Sequence, residues 1–326
     1  MPTVKNYLSL FFGAFPFLLS CQEVDKKFLP GKPDSLINNE VFLVVLGNVQ
    51  DAGSPHIACE KTCCENLFEN PDADRMVVSL GLIDSENEKT FLFEATPDMP
   101  EQLKILKNSA SWNTPNIPDG IFLTHAHIGH YTGLMYLGKE AANTKEAPVY
   151  SMPKMQDFLE NNGPWSQLVS NRNISLQELK DNVESTLTGS LKVIPFMVPH
   201  RDEYSETVGY KIIGPNKSVL FIPDIDKWEK WETSIISEIK KVDYAFLDAT
   251  FYDAEEINNR DISEIPHPFV IESMELFKNL SPSEKNKIHF IHLNHTNPLL
   301  DEGSPQSKAV LKSGLRIARF GMQFKL

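Results

Sequence analysis

The sequence has little of several features that mark specialised protein classes. Four cysteines in 326 residues are too few for a disulfide-stapled scaffold, and no apolar run is long enough to span a bilayer. No cluster of Lys and Arg is long enough to follow a phosphate backbone, and the formal net charge is −13, so we expect no nucleic-acid partner. Hydrophobic residues make up 41% of the chain and charged residues 23%, which is typical of a globular protein.

The first 21 residues resemble the export signal of a bacterial lipoprotein. Lys5 is the only charged residue before a short apolar stretch, and residues 18–21 read Leu-Leu-Ser-Cys, as in a lipobox. We predict a signal peptide over 1–20, acylation of Cys21 and a tether over 21–40. Each buried methylene of an acyl chain contributes about 0.8 kcal/mol, so this lipid anchor would hold the protein on a membrane. We expect it in the bacterial cell envelope, on the periplasmic or outer-membrane face; an ordinary secretory signal or a buried N-terminal strand is the alternative.

Three further cysteines lie close together, at Cys59, Cys63 and Cys64. In an oxidising compartment Cys59 would pair with one of the other two, because adjacent cysteines rarely bridge each other. Alternatively, three thiolates with His56 or a distant residue as fourth ligand would satisfy the tetrahedral preference of zinc. The sequence leaves the disulfide and the second metal site open.

Apolar runs bounded by turn residues predict a sheet-rich α/β protein. The predicted strands cover residues 41–47, 76–80, 90–93, 121–124, 191–198, 207–213, 218–222, 244–247 and 287–292. The predicted helices cover residues 99–107, 132–142, 228–240 and 269–279. Residues 151–190 have helical patches without a strong strand signal, and we predict that they form a lid inserted into a single domain over 41–326.

Three histidines within six residues follow the predicted strand that ends at Thr124. They are His125, His127 and His130. Imidazoles at positions i and i+2 on a turn after a strand converge on one point, and a third at i+5 can reach an adjacent ion from the first turn of a helix. We therefore predict a metal site here; a surface histidine cluster fits poorly after an apolar strand.

The motif resembles the signature of the metallo-β-lactamase superfamily, in which H-x-H-x-D-H is followed by a His, an Asp and a last His at strand ends. His200, Asp224 and His292 each close a predicted strand, in that order. The resemblance spans about residues 41–300. It implies an α/β fold of the four-layer αββα metallo-β-lactamase sandwich type, with two mixed sheets packed face to face and the metal centre at their common edge.

The same resemblance implies a ligand set and one departure from it. The ligands would be His125, His127 and His200 for one ion, His130 and His292 for the other, and Asp224 as a bridge between them. Gly129 stands where the signature has its Asp. We therefore expect the second site to be weak or absent, with one or two Zn²⁺ ions bound, and we expect Gly129→Asp to raise the metal stoichiometry toward two.

Two further segments are similar to narrower branches of the superfamily. Leu247-Asp248-Ala-Thr-Phe and Pro266-His267-Pro resemble the paired acid and His elements of tRNA 3′-processing endonucleases and related phosphodiesterases. That resemblance implies that Asp248 orients His267, which would protonate the leaving oxygen; a helix-capping role is the alternative for His267.

The overall pattern is most similar to the branch of the pyrroloquinoline-quinone biosynthesis protein B. The segments that carry this resemblance are residues 46–55, the helix that begins Thr-Gly-Leu at 132, and residues 292–298. In that branch the clustered cysteines are associated with a separate zinc, which favours a metal at Cys59, Cys63 and Cys64. Its members lack a lipobox, so we expect a paralogue with a different substrate.

These features predict a metal-dependent hydrolase of a small-molecule substrate. A Zn²⁺-generated hydroxide would attack a phosphodiester or carboxylic ester. The first alternative is an iron-dependent oxygenase or hydroxylase like the quinone-biosynthesis relative, because a site of His and carboxylate ligands with open positions suits Fe²⁺. The second alternative is a non-catalytic metal- or ligand-binding lipoprotein, which the missing signature Asp would explain.

Overall fold

The computed structural model describes residues 40–326 except 111, 113, 202 and 258–264. The predicted signal peptide, Cys21 and all but the last residue of the tether lie outside the described residues. Within the described part of the chain, no helix is both long and apolar enough to cross a membrane.

Strands make up the centre of the structure. In chain order they are Val41–Gly47 (β1), Ser79–Asp84 (β2), Lys89–Phe93 (β3), Gly120–Phe122 (β4), Ala147–Ser151 (β5), Ile174–Glu178 (β6), Ser185–Thr186 (β7), Lys192–Met197 (β8), Val208–Ile213 (β9), Ser218–Ile222 (β10), Tyr244–Asp248 (β11), Ile288–Ile291 (β12), Arg316–Ile317 (β13) and Gln323–Lys325 (β14). They form two seven-stranded sheets, in the orders β14-β1-β2-β3-β4-β5-β6 and β13-β12-β11-β10-β9-β8-β7.

The helices connect these strands. The α-helices are Thr62–Glu65 (α1), Met99–Ser109 (α2), Ile128–Tyr131 (α3), Pro153–Asn161 (α4), Trp165–Ser170 (α5), Ile235–Lys240 (α6), Val270–Phe277 (α7), Pro282–Lys285 (α8) and Pro305–Lys312 (α9). Short 3-10 helices cover Thr132–Leu137, Trp228–Lys230, Ala254–Ile257 and Pro298–Leu300.

Apolar side chains from both sheets meet in one aromatic-rich layer. Phe93 and Phe122 of the first sheet pack against Tyr210 and Phe221 of the second, and all four are fully buried. The outer face of each sheet is covered by helices: Leu106 of α2 packs in the cluster on the first sheet, and Phe277 of α7 in the cluster on the second. The predicted αββα sandwich of two mixed sheets is therefore confirmed.

The direction of the strands places the functional residues. Strands β3 to β6 are parallel to one another, and so are β10 to β13. The carboxyl ends of parallel strands meet at one edge of a sheet, which is where open α/β sheets usually bind ligands. The ligands predicted for the metal centre follow one of these strands or β8.

Some local predictions were wrong. The predicted helix 132–142 is a 3-10 helix that ends at Leu137, and the predicted helix 228–240 is a 3-10 turn followed by α6. Residues 151–190 do contain strands, because β6 and β7 form edges of the first and second sheet. Within the same segment, the ring of Trp165 packs against Tyr131, at a centroid distance of 5.0 Å. That this segment covers the site as a lid stays a prediction.

Candidate metal centre

The first group of candidate ligands lies where three strand ends meet. His125 and His127 follow β4, His200 follows β8, and Asp224 follows β10. The His125 Nε2 lies 2.8 Å from His127 Nδ1 and 3.3 Å from Asp224 Oδ2, and the His200 Nε2 lies 3.2 Å from Asp224 Oδ1. One ligand atom from each of the four residues lies within 4.8 Å of the others, so they can bind the same ion.

A second group of candidate ligands also lies close to Asp224. The Nε2 atoms of His130 and His292 lie 3.7 and 4.0 Å from Asp224 Oδ2. Asp51, on the loop after β1, completes this group, and the ligand atoms of Asp51, His130 and His292 lie within 4.8 Å of one another. Asp51 was not predicted as a ligand, because nothing in the local sequence pattern around it signals one.

Hydrogen bonds fix the ring nitrogen that each of two histidines turns toward Asp224. The Nδ1 of His130 donates to Glu94 Oε2 at 3.2 Å. The Thr250 hydroxyl donates to Asp248 at 2.7 Å and therefore accepts from His292 Nδ1 at 2.8 Å. With Nδ1 as the donor, Nε2 is the nitrogen that each ring can offer to a metal ion, which is the arrangement that metal-binding histidines usually have.

Several buried polar atoms at this centre have no hydrogen-bond partner among the described residues. They are the Nε2 atoms of His127, His130, His200 and His292, the Nδ1 of His200, and the Oδ1 of Asp224. Leaving buried polar atoms unpaired costs free energy. A divalent metal ion at this centre would pair with one nitrogen of each ring and with the carboxylate, ligands that suit zinc or iron, so the donor set fits a metal cofactor.

The pKa values of the site residues show strong charge coupling. Burial alone would raise the pKa of Asp224, but the rings of His200, His267 and His292 hold it well below its ordinary range. Burial and the neighbouring His130 lower the pKa of His125 well below its usual value. Thus the Asp224 carboxylate is ionised and His125 is neutral, which are the protonation states that metal ligation requires of these two residues.

Glu94 and His292 both have left-handed backbone conformations, with φ angles of +77° and +64°. Such angles are uncommon outside glycine and cost of order 1–3 kcal/mol, and they persist where the surrounding structure enforces them. Both residues are completely buried directly after a strand, Glu94 after β3 and His292 after β12. The fold therefore tolerates strain where it turns these two side chains toward the centre.

The predicted pair of Asp248 and His267 is brought together. His267 Nδ1 lies 2.9 Å from Asp248 Oδ2 and 3.1 Å from Asp224 Oδ1. Asp248 is held by the backbone N–H groups of Ile225 and Thr250, at 3.1 and 2.9 Å. Burial opposes protonation of His267, but the charges of Asp248 and Asp224 raise its pKa to about 10. No hydrogen bond from the His267 side chain to a backbone group supports the helix-capping alternative within the described chain.

The three clustered cysteines form a separate cluster with His295. Their sulfur atoms and a ring nitrogen of His295 lie within 4.8 Å of one another, and the Cys63 Sγ lies 3.9 Å from the Sγ atoms of both Cys59 and Cys64. The cysteines are present as free thiols. His56, considered from the sequence as a fourth ligand, instead stacks its ring on His295 at 4.4 Å. Three sulfurs and one imidazole make a tetrahedral zinc set.

Comparison with known proteins agrees with the fold. Residues 89–290 match the model of the beta-lactamase superfamily domain. The coenzyme PQQ synthesis protein B of Gluconobacter oxydans is 24% identical over 304 residues, which cover 88% of this chain and 99% of that protein. Zn²⁺-bound PqqB from Methylobacterium extorquens superimposes with a TM-score of 0.72 at 20% identity, covering 87% of this chain and all of that one.

A diphosphatase of the PhnP family superimposes with a TM-score of 0.62 at 20% identity, covering 88% of this chain and 97% of that one. The matched family model covers more than half of the chain, and the PqqB relatives match it nearly from end to end. The chain belongs to the beta-lactamase superfamily and is similar to its PqqB-like branch.

Proposed function

We propose that this protein is a metal-dependent hydrolase of a small phosphodiester, with a carboxylic ester as the other substrate class. The observation that carries the proposal is the contact of His267 with Asp248 and Asp224 beside the two ligand groups. A histidine held by a buried acid next to a metal centre suits a reaction that needs a proton donor for a poor leaving group. Hydrolysis of an alkyl phosphodiester is such a reaction.

The position of each residue indicates its role in the proposed reaction. His125, His127, His200 and Asp224 would hold one zinc ion, and the Nε2 atoms of His130 and His292 lie within 4.0 Å of the same carboxylate. When bound, the metal would polarise the phosphoryl oxygen of the substrate and lower the pKa of water toward about 7. The Nδ1–H of His267 donates to Asp248, so its Nε2 is the nitrogen free to protonate the leaving oxygen.

A second candidate is an iron-dependent oxygenase or hydroxylase. Its support is the similarity, over nearly the whole length, to proteins named for coenzyme PQQ synthesis, together with a site of three histidines and one carboxylate that also suits Fe²⁺. The two candidates differ in their native metal. In full-length protein purified without oxygen and measured by elemental mass spectrometry, the metal that His125→Ala loses should be zinc in the first case and iron in the second, whichever metal the cysteine cluster holds.

We also propose that the protein acts in the bacterial cell envelope, anchored through an acylated Cys21, on a small-molecule substrate. The lipobox-like residues 18–21 and the short apolar stretch before them support the anchor. The net charge of −13 supports a small substrate over RNA, because an acidic surface repels a polyanion.

The hydrolase proposal can be tested with aryl phosphodiesters whose leaving phenols differ in acidity. His267→Gln should slow the release of a weakly acidic phenol by roughly 10²–10⁴-fold and the release of p-nitrophenol much less, because p-nitrophenolate leaves without a proton. The metal content should stay unchanged. His289→Gln, at a buried histidine that packs on Phe246 instead, is the matched control.

Three results would contradict the proposal. An equal loss of rate with every leaving group in His267→Gln would show that His267 is not the proton donor. Loss of metal in His267→Gln would make His267 a ligand. Metal-loaded protein that turns over no ester would favour the non-catalytic binding role.

A further inference from the structure

Gly129 occupies the signature position that normally carries an acid, and its surroundings explain why it is a glycine. A Cβ atom added to Gly129 would lie 2.1 Å from the Cβ of Asp51, and 2.5 Å from both the Cα and the backbone oxygen of Asp51. Contacts this short are not possible, so any side chain here would displace the loop after β1. The glycine is required for close approach of another backbone segment, and that segment carries a carboxylate.

The loop that carries Asp51 is held against the end of β12. The N–H of Gln50 donates to the backbone oxygen of Leu293, and the N–H of Leu293 donates to the backbone oxygen of Asn48, both at 2.8 Å. Val49 also accepts from the N–H of Val78 at 2.8 Å. Because Leu293 directly follows His292, these bonds fix the register of Asp51 relative to a candidate ligand.

The Asp51 side chain completes a ligand group that the signature motif leaves short. Its carboxylate lies with the ring nitrogens of His130 and His292 in a cluster no wider than 4.8 Å. The Nε2 atoms of both histidines are buried and have no hydrogen-bond partner in the described residues. The Gln50 side chain donates to Asp51 Oδ1, which leaves Oδ2 free for another contact.

We propose that Asp51 replaces the missing signature acid as a ligand of the second metal ion. The ion would be a divalent cation such as Zn²⁺, held by Asp51, His130 and His292, with Asp224 shared with the first site. On this view Gly129 and Asp51 act together. Because Gly129 has no side chain, the loop can approach closely, and that loop carries the carboxylate. The inference rests on the proposed metal centre, but it does not depend on which reaction the centre performs.

The test counts metal ions in the full-length protein. Metal-free protein is titrated with Zn²⁺ in competition with a chromophoric chelator, and bound zinc is verified by elemental mass spectrometry. Asp51→Asn should lose one equivalent relative to wild type, as His292→Ala should, whereas His125→Ala should lose the equivalent of the first site. Asp157→Asn, at an exposed aspartate on α4, is the matched control and should lose none.

Gly129→Ala supplies an independent arm, because it changes no ligand. Its methyl group must push the Asp51 backbone away, so the variant should lose the same equivalent as Asp51→Asn while circular dichroism shows a folded chain. Gly129→Asp should also lose it, which reverses the expectation from the sequence that this substitution adds a metal.

Two outcomes would overturn the inference. Full zinc content in Asp51→Asn beside a loss in His292→Ala would exclude Asp51 as a ligand. Two equivalents at the centre in Gly129→Asp would show that the signature position can still accept its acid. Neither readout uses turnover, so a failure here is distinguishable from a failure of the hydrolase proposal.

Discussion

Replacing Glu94 by Gln should weaken metal binding at His130 without removing any ligand. Glu94 is fully buried after β3, and its Oε2 accepts from His130 Nδ1 at 3.2 Å. Burial opposes protonation of His130, but the carboxylates of Glu94, first of all, and of Asp51 and Asp224 raise its pKa to about 9. Glutamine keeps the volume and removes the charge. Its amide can donate as well as accept, so the variant no longer keeps the proton on Nδ1 and the lone pair on Nε2.

The size of the effect follows from that role. Removing a partner that orients a metal-binding histidine typically weakens metal binding 10–100-fold, or roughly 1.4–2.7 kcal/mol. Both the positive φ angle of Glu94 and the bond from its N–H to the backbone oxygen of Phe122, at 2.9 Å, persist in the variant. The loss should therefore appear in metal affinity rather than in the position of the backbone.

Zinc titration of metal-free Glu94→Gln against a chromophoric chelator would measure this change. Asp84→Asn is a matched control, because Asp84 is also a fully buried carboxylate but accepts from Asn87, Thr188 and Ser190 at the end of β2, away from the centre. The control should lower the free energy of unfolding and leave zinc affinity unchanged. Equal zinc affinity in Glu94→Gln and wild type, or an equal drop in both variants, would refute the role given to Glu94.

The remaining predictions concern three other parts of the chain. Burial and the charge of Arg316 lower the pKa of His289 to about 4, although a hydrogen bond to the Lys287 backbone oxygen opposes this shift. An unfolded histidine has a pKa of about 6.5. The unfolded state therefore binds the proton first as pH falls, and the free energy of unfolding should drop by roughly 3 kcal/mol between pH 6.5 and 4. His289→Phe should lack this part of the loss in urea titrations across that range; parallel curves for both proteins would contradict it. Cys59→Ser and His295→Ala should each lose one zinc that His125→Ala retains, as measured by elemental mass spectrometry, and a disulfide found by mass mapping would exclude this site. Cys21→Ser should move the protein from the membrane to the soluble fraction, and continued membrane association would defeat the lipid anchor.

Residues that follow strands could be predicted from the sequence, because strand and ligand are neighbours in the chain. An apolar run that ends in a polar residue indicates the end of a strand at a sheet edge. This pattern pointed to His125, His200, Asp224 and His292 as residues of one centre. Glu94 meets the same rule, since it directly follows the run 90–93, but its role as a partner of His130 needed the fold.

Residues on loops could not be predicted in the same way. The sequence left the fourth ligand of the cysteine cluster open, and His295 is far from the cysteines in the chain. It is also three residues beyond His292, which on a continuous strand would place it on the opposite face. Strand β12 ends at Ile291, so the chain turns and His295 meets the cysteines instead. Where a strand ends is decided by packing, which local patterns report poorly.

The proposed role of Asp51 would overturn the sequence-based expectation for Gly129 for a similar reason, and it connects the metal centre with the cysteine cluster. The signature motif describes the residues of one loop, so the absence of its Asp at Gly129 is interpreted as the absence of a metal ligand. In the structure, the segment 48–64 carries both Asp51 and the three cysteines, and the segment 292–295 carries both His292 and His295. Backbone bonds between Asn48, Gln50 and Leu293 join the two segments. A metal ion at the cysteine cluster would therefore hold the later part of the segment whose earlier part carries Asp51. Binding there would help to keep the Asp51 carboxylate at the metal centre.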